Sequence, residues 1–143
     1  MKFKKLRPEA KAPVYGSQDA AGADLYACCE KETVIPAGET VMIPTGIAVA
    51  IPKGYVGLIF ARSSLGIKRG LAPANKVGVI DADYRGEIMV GLHNHSGEDQ
   101  TIAPFERVAQ MAIVPFLQVA YEEAEDLDET DRGTGGFGST GKM

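Results

Sequence analysis

Short runs rich in β-branched and other apolar residues recur along most of the chain. They cover residues 33–35, 40–43, 47–51, 55–60, 77–80, 87–92 and 107–118. Turn signals separate them, namely Pro36-Ala-Gly38, Pro44-Thr-Gly46, Pro52-Lys-Gly54 and Asn94-His-Ser-Gly97. Many short strands with such turns predict an all-β fold, which is a β-sandwich, a barrel or a jelly roll.

Two parts of the chain depart from this pattern. Residues 63–68 (SSLGIK) predict one short helix, with Ser63 or Ser64 as its N-cap. Residues 122–131 are acidic, and residues 132–143 are rich in glycine, which disfavours regular structure. We therefore predict a β body over residues 1–121, an acidic linker over 122–131 and a flexible C-terminal arm over 132–143.

The charge distribution limits the class of ligand. The chain has 143 residues, the usual size of a single domain, and a net charge of −4. Seven of its 19 acidic residues lie in the linker, so the rest carries 15 Lys and Arg against 12 acids, a charge of +3. This balance argues against a broad nucleic-acid-binding surface but permits a local phosphate site.

The start of the chain and its cysteines indicate a compartment. The segment MKFKKLRPEAKAP is charged and predicts no secretory signal, and no run approaches the ~20 apolar residues of a membrane span. Cys28 and Cys29 are adjacent, which suits neither a disulfide nor a zinc site. We expect buried or spectator thiols in a cytoplasmic protein without a membrane partner.

Two segments offer groups that bind anions. The arm contains Gly133-x-Gly135-x-x-Gly138, but it lacks the flanking strand and helix of a dinucleotide-binding motif, and a partial P-loop match fails likewise. Its glycine N–H groups and hydroxyls can still surround a phosphate. Arg62, Ser63 and Ser64 stand where a buried run meets the predicted helix, which also suits an anion. The structural alternative there is a capped helix with a solvated arginine.

A third candidate contains carboxylates. Apolar runs flank Asp81-Ala-Asp83-Tyr84, which predicts a hairpin with two carboxylates and an aromatic ring near its tip. Asp81 would end the first strand on a rigid support, whereas Asp83 would be solvated. His93 and His95 with Glu98 resemble a cupin metal signature, but the spacing is too short and a third histidine is missing, so we interpret them as a surface turn.

Five motifs taken together resemble the trimeric deoxyuridine triphosphate nucleotidohydrolases, or dUTPases. In family order they are Ala21-Gly-Ala-Asp24-Leu-Tyr-Ala27, Ala61-Arg-Ser-Ser-Leu65, Gly78-Val-Ile-Asp-Ala-Asp-Tyr-Arg-Gly86, Arg107-Val-Ala-Gln110-Met and Arg132-Gly-Thr-Gly-Gly-Phe-Gly-Ser-Thr-Gly141. The resemblance implies a jelly-roll homotrimer that hydrolyses dUTP to dUMP and pyrophosphate with Mg²⁺. Such an enzyme keeps uracil out of DNA and supplies dUMP for thymidylate synthesis.

The resemblance also implies how the nucleoside is bound and attacked. Asp81 would be the general base for the water that attacks the α-phosphorus, and Tyr84 would pack under the deoxyribose and exclude a 2′-hydroxyl. Asn75 would contact uracil, together with main-chain groups at Gly78, Val79, Ile80 and near Met89. An amino group in place of uracil O4 would then place donor against donor, which rejects cytosine.

The remaining implied contacts are with the phosphates. Arg62, Ser63, Ser64 and Gln110 would bind them, and Asp24 would hold a hydrated Mg²⁺ through water. In the arm, Phe137 would stack on uracil while Arg132, Gly138 and Ser139 close over the phosphates. Each site would combine the Arg62 segment of one chain, the Asp81 segment of a second and the arm of a third.

Two alternatives remain open at the sequence level. A dCTP deaminase has a similar Arg-Ser-Ser segment, but it would be expected to lack both the Asp81 and Tyr84 chemistry and the glycine-rich tail. A non-catalytic jelly roll that binds dUTP as a signal would have no use for a base, a metal carboxylate and a lid.

Overall fold

The computed structural model describes residues 1–136, which form β-strands and one short helix. The strands are β1 Lys2–Lys5, β2 Val14–Tyr15, β3 Ala23–Tyr26, β4 Thr33–Ile35, β5 Thr40–Pro44, β6 Ile47–Ala50, β7 Tyr55–Phe60, β8 Leu71–Pro73, β9 Gly78–Ile80, β10 Met89–Asn94, β11 Gln100–Ile102 and β12 Arg107–Pro115. Helix α1, Ser63–Arg69, lies between β7 and β8. The prediction of an all-β fold with one short helix is confirmed.

The strands form antiparallel sheets around one apolar core. The largest sheet has the order β2-β3-β12-β7-β9, a second has the order β5-β10-β8, and β1 pairs with β6 and β11 with β4. Strand β10 shows the alternation that a half-buried strand requires, because Val90 and Leu92 are buried and Met89 is exposed. The largest side chains of the core include Leu25, Ile35, Ile43, Ile88, Leu92, Ile102 and Met111.

Proline and glycine form the turns as predicted. Gly38 and Gly54 have φ angles of 78° and 82°, the left-handed region that glycine adopts without steric cost. The N–H of the next residue closes each turn onto the proline carbonyl, at 3.1 Å for Pro36 and 3.2 Å for Pro52. A hydrogen-bonded turn of this kind needs a positive φ at its third residue, which glycine provides.

The end of β12 differs from the prediction, and strands β1, β2, β3, β8 and β11 were not predicted. Strand β12 ends at Pro115, short of residue 118, because Pro115 pairs with Tyr55, the first residue of β7. Strand β3 was not predicted, since Asp24 near its start is of a residue type that is depleted in strands. Strand β1 was missed because its exposed KFKK sequence shows no buried face.

The predicted serine cap of α1 is wrong. The N-cap is Arg62, whose extended backbone has φ −80° and ψ 138°, and no side chain caps the helix. Ser63 and Ser64 come after the N-cap, in the first turn, where a side chain no longer replaces the missing helical acceptor. Both serines are exposed at the start of the helix.

The predicted hairpin around Asp81 is also wrong. Strand β9 pairs with β7, whereas β10 pairs with β5 and β8, so residues 81–88 cross from one sheet to the other. Fully buried Ile88 anchors this crossing, because its N–H donates to the Ile47 carbonyl at 2.9 Å and its carbonyl accepts from Thr45 Oγ1 at 2.6 Å. Two flanking apolar runs look the same in a hairpin and in such a crossing.

Residues 116–136 follow the last strand without a helix or strand and are exposed almost throughout. Their division into a linker and an arm stays a prediction, and the expected arm contacts of Phe137, Gly138 and Ser139 lie outside the described residues. Within residues 1–136, the helix is too short and too polar to cross a membrane.

Candidate active site

A polar cavity of about 220 Å³ lies where β3, β12 and the start of α1 meet. Its lining includes Gly22, Asp24, Arg62, Ser63, Arg107 and Gln110. The body residues predicted for phosphates and metal thus share one cavity, except Ser64, whose Oγ accepts from Arg62 Nη1 at 3.4 Å. Arg107 also lines this cavity. It was not among the predicted site residues, although it begins the motif that contains Gln110.

Sheet register brings these side chains together. Gln110 of β12 lies opposite Asp24 on one side and Phe60 on the other. Its Nε2 donates to the Ala61 carbonyl at 3.1 Å, which ties β12 to the residue before Arg62. A Cβ at Gly22 would stand 3.0 Å from Gln110 Oε1, so the absence of a side chain there leaves room for Gln110.

Each carboxylate oxygen of Asp24 accepts a hydrogen bond from an arginine guanidinium. Arg62 Nε donates to Oδ1 at 2.8 Å and Arg107 Nη1 donates to Oδ2 at 3.2 Å. Asp24 is only 8% exposed, and burial of its charge is stabilised by these two partners. One carboxylate between two guanidiniums leaves the cavity with a positive charge, which favours a phosphate ligand.

The donor set fits a magnesium ion that is bound mainly by phosphate and water. Within residues 1–136, no three His, Cys, Asp or Glu side chains are grouped to form a metal cage. Asp24 is the one carboxylate of the cavity, and each of its oxygens accepts a single guanidinium bond. Carboxylate oxygens have capacity for further bonds, so Asp24 can also accept from metal-bound water.

A second cavity, of about 320 Å³, lies between β9, β10 and β5. All five residues predicted for uracil line it: Asn75, Gly78, Val79, Ile80 and Met89. Strand β9 is the last strand of its sheet, so within the described residues its outer edge has no strand partner. An edge strand presents main-chain donors and acceptors to whatever lies beside it.

Asp81 and Tyr84 line a smaller adjoining cavity of about 180 Å³. It shares Val79, Ile80 and Met89 with the larger cavity, so these residues border both cavities. Tyr84 Oη donates to the carbonyl of Glu87 at 2.9 Å, which fixes the ring over the turn. Asp83 is exposed, as predicted, and is not part of this cavity.

Two features of this segment were not predicted, one at Gly86 and one at Glu87. A Cβ at Gly86 would stand 2.5 Å from Tyr84 Cζ, so a side chain there would displace the ring. Glu87 Oε1 accepts from the Gly46 N–H at 2.7 Å, which fastens the crossing segment to the β5–β6 turn. Neither contact has a signal in the sequence, because both depend on how the crossing segment folds.

The polar cavity and the Asp81 cavity lie at opposite ends of β7. Ile80, the residue before Asp81, pairs with Gly57 of β7, and Arg62 lies five residues after Gly57 in the chain. At about 3.3 Å per residue the separation along the strand is roughly 16 Å. Asp81 and Arg62 of one chain therefore do not face a common cavity.

Other candidates lie apart from these cavities. Arg132 donates from Nε to the Gly135 carbonyl at 2.8 Å within a local turn and lines neither cavity. His93 lies in β10, not in the expected turn, and its Nδ1 is 2.9 Å from Thr40 Oγ1. His95 follows the strand, and desolvation, followed by Lys76 and His93, lowers its pKa.

The cysteines are free, as expected. Cys28 is buried, and burial, followed by the charge of Glu9, raises the pKa of its thiol. Cys29 is partly buried and packs against the core. Neither thiol lines the cavities that contain the predicted site residues.

The fold and these cavities define an all-β protein with a positive polar cavity and a separate cavity bordered by an exposed strand edge. The dUTPase family model matches residues 8–141, and the chain belongs to the dUTPase family. It is 48% identical over 141 residues to the deoxyuridine 5′-triphosphate nucleotidohydrolase of Syntrophotalea carbinolica, covering 99% of this chain and 96% of that protein.

Solved structures of dUTPases share the fold. One is a mutant of the Staphylococcus bacteriophage 80alpha dUTPase with dUpNHpp, at a TM-score of 0.89 and 27% identity over 99% of this chain and 98% of that chain. Another is a mutant dUTPase of phage phi11 of S. aureus described with a structural Mg(II) ion, at a TM-score of 0.78 and 26% identity over 87% and 96%. The predicted jelly roll is confirmed.

Proposed function

We propose that this chain hydrolyses dUTP to dUMP and pyrophosphate with Mg²⁺, as a homotrimer with shared active sites in the cytoplasm. The observation that carries the proposal is the exposed edge of β9, which borders the larger cavity and ends one residue before Asp81. This arrangement supports the proposal, because one rigid element would then supply both the surface that reads the base and the carboxylate. Membership of the dUTPase family supports the same activity.

The strand edge supports the proposed recognition of uracil. The base offers an alternating row of acceptor, donor and acceptor, which matches the alternating N–H and C=O groups of a peptide edge such as residues 78–80. Cytosine would present an amino donor to a main-chain donor and leave both without a partner. An unpaired polar group of this kind lowers the binding affinity far more than the loss of one methyl contact does. Asn75, which borders the same cavity, would complete the set of polar contacts.

Asp81 would act as the general base beside the bound nucleotide. Its carboxylate is exposed at the end of β9 and therefore reaches water, and its backbone is fixed by pairing of β9 with β7. It would accept a proton from the water that attacks the α-phosphorus. The pyrophosphate leaves as the bond from its bridging oxygen to that phosphorus breaks. Tyr84, fixed through Glu87, would pack under the deoxyribose and leave no room for a 2′-hydroxyl.

The polar cavity would hold the triphosphate. Arg62, Ser63, Ser64 and Gln110 would donate hydrogen bonds to its oxygens, and charge-assisted bonds of this kind are the strong ones. Mg²⁺, when bound, would neutralise phosphate charge, with Asp24 holding its water ligands. Arg132, Phe137, Gly138 and Ser139 of the arm would cover the nucleotide and exclude bulk water.

The separation of the two cavities supports a site that is shared between chains. Asp81 and Arg62 lie at opposite ends of β7 in one chain, whereas the proposed chemistry needs both on one triphosphate. A ring of three chains in which the Arg62 end of one meets the Asp81 end of the next would satisfy both demands. The exposed residues 116–136 would lead the arm away from its own body to a third chain.

Pyrophosphate release from dUTP, dCTP, dTTP, dATP, dGTP and UTP tests the proposal directly. We expect Mg²⁺-dependent release from dUTP alone, and its loss in EDTA. Ammonia release from dCTP would instead indicate a deaminase. Tight dUTP binding without turnover would indicate a non-catalytic nucleotide-binding module. Either result would contradict the proposed reaction.

A further inference from the structure

Asp24 is bound by two arginines, and the proposed phosphate contacts use only one of them. Arg62 Nε binds Oδ1 and Arg107 Nη1 binds Oδ2. Arg62 alone balances the single negative charge of Asp24. Arg107 therefore brings a positive charge to the cavity that the ion pair itself does not require.

A β-bulge brings Arg107 to this side of the sheet. Residues three apart on a regular strand point to opposite faces, so Arg107 and Gln110 would be separated. The register of β12 against β3 shifts between Arg107 and Ala109, so that Arg107 lies opposite Tyr26 and Gln110 opposite Asp24. Bulges re-aim side chains next to functional sites, and here both side chains line the polar cavity.

Arg107 keeps donors for a ligand after it has bound Asp24. A guanidinium carries five N–H groups, and Asp24 engages one nitrogen of Arg107. The Arg107 side chain is 50% exposed, against 22% for Arg62, so it is the more accessible of the two cations. Asp24 thus fixes one end of the guanidinium and leaves its other N–H groups for a ligand in the cavity.

We infer that Arg107 is a further phosphate-binding residue, which Asp24 holds in place through Nη1 while its remaining N–H groups bind the pyrophosphate part of the substrate. This inference rests on the proposed function. Pyrophosphate carries most of the negative charge of the triphosphate, so it gains most from a second guanidinium. The bound carboxylate also limits the rotation of Arg107, so less side-chain entropy is lost when the ligand binds.

Calorimetric titration with inorganic pyrophosphate in Mg²⁺ tests Arg107 apart from turnover. Arg107→Gln should raise the Kd for pyrophosphate about tenfold or more, since a hydrogen bond to a charged group is lost. Its Kd for dUMP should change little, and its KM for dUTP should rise. Arg107→Lys should be intermediate, because an ammonium cannot reproduce the planar fork. Lys68→Gln, which removes an exposed cation from the last turn of α1, is the matched control and should bind as the unmodified chain does.

Arg107→Gln leaves the Arg62–Asp24 pair intact, so the fold should be retained. A lowered Tm with unchanged pyrophosphate affinity would make Arg107 a structural partner of Asp24 and overturn the inference. If the glutamine variant does not fold, unchanged affinity in the lysine variant would overturn it equally. Failure of the unmodified chain to hydrolyse dUTP would instead contradict the proposed function.

Discussion

Asp81 and Asp83 are both exposed, but only Asp81 shares a cavity with Tyr84. Asp81→Asn should keep the fold and dUTP binding and lower kcat by about 10²- to 10⁴-fold, because the amide cannot accept the proton of the attacking water. Single-turnover hydrolysis of dUTP measures this loss separately from product release.

Asp83→Asn is the matched control for that measurement. It removes the same charge two residues away, in the same turn, and should leave kcat within a few-fold of the unmodified chain. Tm values equal to that of the unmodified chain would show that neither change acts through stability. If Asp83→Asn is the slower enzyme, the assignment of the base is wrong.

The Tyr84 ring occupies space that a side chain at position 86 would need, so Gly86 permits its position. Gly86→Ala would place a methyl group 2.5 Å from Tyr84 Cζ and 2.9 Å from Cε2, so the ring must move. We expect the ratio of kcat/KM for dUTP over UTP to fall, because the ring would no longer exclude the 2′-hydroxyl. Stability should change little, since Tyr84 is 43% exposed.

Gly97→Ala is the control for the glycine substitution, because a Cβ at this exposed position meets nothing within 4 Å. It should leave the dUTP to UTP ratio unaltered. Replacing Tyr84 itself with a smaller apolar residue should lower the ratio in the same direction. An unchanged ratio in both Gly86→Ala and the Tyr84 variant would remove the ring from sugar selection.

The proposed C-terminal arm would begin well after the last strand of the described body. Strand β12 ends at Pro115, and residues 116–136 add no strand to any sheet. Deletion of residues 132–143 should therefore leave Tm and oligomeric mass nearly unchanged, because little apolar core is removed. Turnover of dUTP should fall strongly while nucleotide binding persists, since a missing lid no longer excludes water.

Light scattering after size exclusion and thermal unfolding check the fold of the truncated chain, and steady-state hydrolysis checks its activity. A chain that ends at residue 131 but retains full turnover would show that the arm has no part in catalysis. Loss of the folded protein would show instead that the arm is structural.

The elements that could be predicted from sequence are those whose own residues carry a turn signal or an apolar pattern. The turns at Gly38 and Gly54 require positive φ angles and are visible as Pro-x-Gly segments. The short strands β5 to β7 have apolar runs of their own. By contrast, the exposed strand β1 is stabilised by its pairing with β6, and a run of lysines carries no sign of that partner.

The resemblance predicted the candidate site residues and how they group, whereas the pattern of strands and turns alone did not predict that grouping. Asn75, Gly78 and Met89 line one cavity although they belong to different sheets or loops, which only the crossing of residues 81–88 explains. Arg107 was missed because a regular strand would turn it away from Gln110, and a bulge cannot be predicted from the alternation of residues.

At the scale of the whole molecule, the two cavities of one chain are separated along β7, and we proposed that each active site combines parts of different chains. That proposal can be tested directly. Two inactive variants serve this purpose: Asp81→Ala with its arm intact, and a chain lacking residues 132–143 with Asp81 intact. If Asp81 and the arm of one site come from different chains, a mixed trimer can unite the good Asp81 of one chain with the good arm of another. Random mixing of equal amounts should restore about a quarter of all sites, which corresponds to about one site in three within the mixed trimers.

Co-expression or joint refolding of the two variants is needed, because preformed trimers need not exchange chains. Different affinity tags on the two chains allow mixed trimers to be isolated by sequential purification before dUTP hydrolysis is measured. An arm that folds back onto its own chain can never meet a good Asp81 in this mixture, since no chain has both parts. Isolated mixed trimers that stay as inactive as either parent would therefore exclude an arm that closes over the Asp81 of another chain, while dUTP hydrolysis by the unmodified protein would be unaffected by that result.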